Sequence, residues 1–306
     1  MLTLRRMLAA AGALCTVISV LLPAVYTRFA NATESHAIES HAIAMHGLPA
    51  LPADFAHLPY VDPAAPKGGR LTWGLLGTFD SLNPFIVKGI AVQQVRGYVV
   101  ESLLARGNDE AFTLYALLAR SVETDDARTY VTFRLDPRAR FSDGQPVRAG
   151  DVLFSWALLR DHGRPNHRQF YSKVAKAEAL DPLTVRFDFG GAEDRELPLI
   201  LGLMPILPQH ATDVSGFEET TMTAPIGSGP YRVTAVRPGA SVTLTRNPDY
   251  WGRDLPINRG LWNFDEVRLD FYREANGSFE AFKRGLYDFR IEDEPLRWHD
   301  GYDFPA

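Results

Sequence analysis

Only one of the 306 residues is cysteine, Cys15, and it lies in the leading apolar stretch. With no second thiol an intrachain disulfide cannot form, so the fold must be held by its core. Excess positive charge is missing as well: 32 Lys and Arg face 37 Asp and Glu, a net charge of −5. Arg5, Arg6 and Arg28 are the only charges before Thr33, so the remainder is more acidic than the whole. That balance argues against nucleic acid or an anionic membrane surface as partner. Three catalytic signatures are also absent: a His-Glu-x-x-His pair, a Gly-x-Ser-x-Gly elbow and a Gly-Lys-Ser/Thr phosphate loop. The acidic residues and histidines are scattered, so no catalytic residue, metal ligand or cofactor is assigned and the chain is read as not an enzyme.

What is present begins with an export signal. Arg5 and Arg6 precede an almost unbroken apolar run from Met7 to Val25, and Ala30-Asn31-Ala32 has the small-x-small form of a cleavage site. Pro23 and that site favour cleavage after Ala32 over a signal anchor. Next comes a direct repeat, Glu34 to Ile38 and Glu39 to Ile43, whose His36 and His41 precede His46. A five-residue step turns roughly 140° on a helix and changes face on a strand, so the three histidines make a poor metal site. The repeat is read as a short duplication in a mobile mature N-terminus. Prolines recurring from Pro49 to Pro66 imply an extended segment.

Gly68 to Phe85 organises the rest. Leu71, Trp73 and Leu75 alternate with Arg70, Thr72 and Gly74 as in a half-buried strand. Gly77 frees the backbone, Asp80 and Ser81 can bond their own main chain, and Asn83-Pro84 stops any helix. The strand therefore delivers a polar loop of Gly77, Thr78, Phe79 and Asp80. Val92, Val95, Val99 and Leu103 fit one face of a helix between Ile90 and Leu104. Strands are expected at Tyr130 to Leu135, Val174 to Asp181, Leu183 to Phe189, Ser241 to Thr245 and Val267 to Phe271. A helix is expected from Ala149, with Val131, Phe133, Leu135 and Trp156 buried together. Its cap position holds Arg148, which Asp151 in the first turn partly offsets. After Val267 to Phe271, a short helix at Ser278 to Arg284 and a strand at Tyr287 to Arg290 suggest the start of a βαβ unit. The glycines of Pro225-Ile226-Gly227-Ser228-Gly229-Pro230-Tyr231 let the backbone pass close to another strand.

Several of these segments carry a resemblance. Ala65-Pro66-Lys67-Gly68-Gly69, the strand-turn-helix run Val131 to Trp156, the Ala175 to Phe189 unit, Gly227-Ser228-Gly229-Pro230-Tyr231 and Asn247-Pro248-Asp249-Tyr250-Trp251-Gly252 occur in the order found in periplasmic oligopeptide-binding proteins of ABC importers. The chain resembles that family of solute-binding proteins, in its YejA-type branch. The resemblance implies an α/β fold: lobe I of a class II-like solute-binding protein, with mixed sheets flanked by helices and only the beginning of lobe II. It divides the chain into a signal peptide (1–32), an extended segment (33–66), lobe I (67–268) and a hinge with a truncated start of lobe II (269–306). It implies a peptide or peptide-like ligand held by Gly77, Thr78, Phe79 and Asp80, with Ser228 and Gly229 as weaker candidates. It also implies a periplasmic monomer that meets the permease subunits of an inner-membrane ABC transporter, binding-impaired here because lobe II is missing. His210 stands where a Lys-His pair is common and is read as structural. The alternatives are a docking or chaperone-like lobe without transport, or a binder of nickel or another solute.

Overall fold

The computed structural model describes residues 37–191 and 194–304. The signal-peptide assignment and residues 34–36 of the first copy of the repeat therefore lie outside the described residues.

Three sheets carry the architecture. Five antiparallel strands follow the order β1 (Ile38–Ser40), β6 (Ala119–Thr124), β7 (Tyr130–Leu135), β9 (Thr184–Phe189), β8 (Val174–Asp181). A second sheet orders β10 (Tyr231–Arg237), β11 (Ser241–Arg246), β12 (Glu266–Tyr272) and β3 (Arg70–Leu76), and its last pair is parallel. A small third sheet joins β2 (Ala42–Ala44), β5 (Thr113–Ala116) and β4 (Leu104–Arg106). The helices are α1 (Val95–Tyr98), a single distorted turn, α2 (Ala149–His162), α3 (Pro165–Tyr171), α4 (Leu197–Gly202), α5 (Ala275–Lys283) and α6 (Pro295–Asp300).

The five-stranded sheet forms for the reason its alternation suggests. Val131, Phe133 and Leu135 of β7 and Val185 and Phe187 of β9 are fully buried on one face, where the two phenyl rings meet edge to face at 6.4 Å. Helix α2 packs on that sheet through Val152, Leu158 and Leu159. Arg148 offers its first turn no acceptor, so only the reciprocal half of a capping box forms: the Arg148 amide donates to Asp151 Oδ2 at 2.9 Å.

Three expectations need correction. The second copy of the repeat is ordered in two strands, not mobile: β1 pairs with β6, β2 pairs with β5, and Ala42, Ile43 and Ala44 are buried. Residues 90–104 do not form a helix. Val92, Val95, Val99 and Leu103 are buried as expected, but Arg96 is extended (ψ 124°) and Gly97 takes φ +92°, which limits the helix to one turn. Trp156 is half-buried and not core. Its Nε1 donates to Tyr171 O at 3.1 Å, its ring meets Phe187 at 6.1 Å, and the Arg160 guanidinium covers the outer face at 4.4 Å. Trp156→Ala should consequently cost about 2 kcal/mol in a urea melt, below the 3–5 roughly expected of a fully buried ring. A loss above about 4 kcal/mol would show the ring to be core after all.

The βαβ expectation holds in part. β12 runs into α5, which packs on β3 and β12, but of Tyr287 to Arg290 only Phe289 bridges to the sheet, at Trp73. Residues 268 and 269, where a lobe boundary is expected, fall within β12, which pairs with β3 along its whole length.

Candidate functional site

Parallel pairing with β12 occupies one side of β3, from Arg70↔Glu266 to Leu76↔Tyr272. The other side is only partly covered. The amides of Asp288 and Phe289 donate to Thr72 O at 2.8 and 3.2 Å, and the Gly74 amide donates to Phe289 O at 3.0 Å. A side chain at position 74 could not fit, because a Cβ there would lie 2.4 Å from the Tyr287 ring. Past Gly74 the covering segment leaves the strand. Successive amides alternate in direction, with Gly74 facing residue 289 and Gly77 donating to Tyr272 O at 2.8 Å, so the Leu76 amide faces the open edge. A cavity of about 210 Å³ lies there, walled by Leu76, Ser278, Arg290, Ile291, Asp293 and Arg297.

The loop that follows is pinned at its ends. Gly77 takes φ +111°, a value that favours glycine. Thr78 Oγ1 donates to Gly239 O at 3.3 Å, and buried Phe79 packs on Phe271 at 4.8 Å. Asp80 closes the loop through its amide to Ile90 O at 2.9 Å and through Oδ1, which accepts the Ile90 amide at 2.6 Å. Among the described residues the amides of Thr78 and Phe79 have no acceptor. Gly77, Thr78, Phe79 and Asp80 thus form a ledge that turns from the end of β3 across β12 toward the β10–β11 turn, away from the open strand edge.

Ser228 and Gly229 sit elsewhere, with no hydrogen bond to that ledge among the described residues. The Gly229 amide donates to Val99 O at 2.9 Å, buried Ser228 accepts Trp251 Nε1 through its carbonyl at 3.1 Å, and the Gly227 carbonyl accepts the Ser142 amide at 2.8 Å. This turn locks the 98–100 segment against the rest of the fold. Behind it lies a group that sequence reasoning missed: Glu101, buried, accepts from the Tyr250 hydroxyl and from Trp251 Nε1, while Asn258 Nδ2 donates to the same hydroxyl at 2.7 Å. Burial pushes the Glu101 carboxyl up to about 7, against the pull of those donors. Its sequence signal is faint, a single acid inside the apolar run Val99-Val100-Glu101-Ser102-Leu103-Leu104. His210 forms an exposed contact with Asp143 Oδ2 at 2.6 Å.

An open strand edge next to a cavity, as at Leu76, can take an extended ligand by strand addition. The chain belongs to the bacterial extracellular solute-binding proteins of family 5: the model for "family 5 Middle" matches residues 113–305. Proteins of this family are periplasmic binding components and not enzymes. The peptidoglycan-binding protein YepA of Agrobacterium fabrum is 44% identical over 275 residues, covering 85% of this chain and 45% of that protein. Two solved structures share the α/β fold. The oligopeptide-binding protein AppA of Bacillus subtilis, in complex with a nonapeptide, superposes with a TM-score of 0.62 at 21% identity over 73% of this chain and 44% of AppA. MoaA of Agrobacterium tumefaciens R10, in complex with mannopinic acid, gives 0.61 at 26% identity over 78% and 47%. The chain spans under half the length of the curated relatives it matches.

Proposed function

We propose that this chain supplies part of the substrate-binding component of an ABC importer for oligopeptides or peptide-like solutes. The observation that carries the reading is the open edge of β3 at Leu76, which lies beside a cavity, with the unpaired Thr78 amide in the loop that follows. An extended peptide adds to such an edge through its own main chain, so affinity comes from the backbone and many side chains are tolerated. The cavity beside Leu76 then takes one side chain without fixing the sequence. The peptidoglycan and nonapeptide ligands named for YepA and AppA support this class of solute. In this reading the chain is exported by its leading segment, cleaved after Ala32, and meets the permease subunits in the periplasm. Ser228 and Gly229 position the lobe and do not touch the peptide.

The open edge of β3 is one wall of a site. In a clamshell the opposing lobe buries the ligand and its preference for the closed state drives closure. A polypeptide limited to residues 33–306, which presents this wall, is therefore expected to bind more weakly than micromolar. Calorimetry with mixed di- to pentapeptides at millimolar concentration tests this, alongside versions in which trans-alkene isosteres replace the peptide bonds and so lack the carbonyl acceptors. Weak heat that the alkene isosteres abolish is the expected result. Equal heat from both sets would overturn the backbone reading, and micromolar affinity would show that one wall suffices.

A further inference from the structure

Beside the turn of α1 opens a second cavity, of about 320 Å³, whose wall includes Arg96, Gly97, Ser102, Arg106, Leu203 and Pro205. Its charge is lopsided. Arg96 Nη2 donates to Leu203 O at 3.0 Å, and among the described residues neither Arg96 nor Arg106 has a carboxylate within ion-pair distance. A third guanidinium close by, Arg164, is likewise satisfied by a carbonyl, Ile86 O at 2.9 Å. Burial first, then the charges of Arg106 and Arg164, hold the Arg96 guanidinium below the ordinary arginine range, with Tyr171 opposing. His167, buried and stacked on Tyr171, has an unpartnered Nδ1 and is pushed down to about 4 by burial and then by Arg96 and Arg164, so it is neutral near pH 7. The one acid on the wall is Glu101, whose two oxygens are taken up by Tyr250 and Trp251. Unneutralised positive charge is thus gathered at a cavity large enough for a small solute.

We propose that the Arg96 and Arg106 cavity binds an oxyanion, the carboxylate or phosphate group of a small solute. Guanidinium forks match both groups in geometry, and a charge-assisted hydrogen bond is about twice as strong as a neutral one. The anion supplies the counter-charge that the fold does not. This site uses none of the ledge residues and stands whether or not peptides bind at Thr78.

The test titrates the purified full chain with glutarate, with its neutral isostere glutaramide, and with inorganic phosphate. Glutarate or phosphate should bind and glutaramide should not, with affinity falling as salt is raised. Whichever anion binds more tightly identifies the source of the oxyanion. Arg96→Gln combined with Arg106→Gln should weaken binding by about tenfold or more, while Arg253→Gln, on a surface away from the cavity, should leave it unchanged. Arg96→Lys guards against misfolding: it should keep more of the binding than Arg96→Gln when both melt as the parent does. Equal affinity for glutarate and glutaramide, no heat from either anion, or a double variant that binds like the parent would each overturn the proposal.

Discussion

Between pH 4.5 and 6.5 the stability of this protein is expected to stay nearly level, because two buried groups titrate against each other. Glu101 is raised by burial from 4.5 to about 7. Its contribution is whole below pH 4.5 and is lost as pH rises through 7, a loss of about 3 kcal/mol. His167 is lowered by burial from 6.5 to about 4. Its contribution is whole above pH 6.5 and is lost as pH falls toward 4, about 2 kcal/mol after allowance for solvent screening. The two slopes oppose across the shared window. Glu101→Gln should unmask the histidine, so that stability climbs with pH by about 2 kcal/mol over the window. His167→Gln should unmask the acid, and stability should fall by about 2 kcal/mol over the same range. Urea melts at half-unit steps read both slopes. Carboxylates held low, such as Asp136 and Asp143 beside Arg138 and His210, lose their contribution only at more acidic pH and leave the window clear. A Glu101→Gln variant as level as the parent would mean that Glu101 does not titrate in the fold as described.

How much could be read from the residues depended on how local the cause was. β7 begins and ends where its alternation says, because Val131, Phe133 and Leu135 each need the same buried face. The turn at Ser142 to Gly144 and the start of α2 follow from Gly144 at φ +89° and from Asp151 bonding back to Arg148. The segment 90–104 misled because a buried valine spacing is satisfied equally by a helix and by a loop threaded through the core. Gly97 decided between them, and its preference shows only once the backbone is placed. Trp156 was legible as inward-facing but not as capped by Arg160, a neighbour one helical turn away. The ledge was legible as loop chemistry at Gly77 and Asp80. The open edge of β3 at Leu76 was not, since that depends on how far Tyr287 to Arg290 follows the strand. Arg96, Arg106 and Arg164 are spread over 69 positions of chain and carry no motif, so only folding brings them to one place.

The glycine turn at 227–229 makes the sharpest demand on the fold. A Cβ at Gly227 would stand 2.0 Å from Val99 O, 2.6 Å from Val99 C and 3.2 Å from Val100 Cα, all of them backbone. At Gly229 it would meet Tyr98 O at 2.5 Å and Val99 O at 2.8 Å. Neither glycine has a positive φ, so conformational strain is not the issue; space is. Val99 and Val100 cannot retreat, because both are buried in the core and the Gly229 amide is bonded to Val99 O. Gly227→Ala should therefore cost about 3 kcal/mol or more, at the upper end for overpacked sites, since no rotamer change can relieve it. Trp251, whose indole donates to Ser228 O, should report the shift by fluorescence. Gly150→Ala supplies the opposite sign. It lies in the first turn of α2, its added Cβ would find nothing nearer than Gln209 Oε1 at 3.8 Å, and alanine should gain roughly 0.5 to 1 kcal/mol there. If Gly227→Ala melts with the parent, the two chain segments are farther apart than described, and the buried Glu101 that this turn seals loses its support as well.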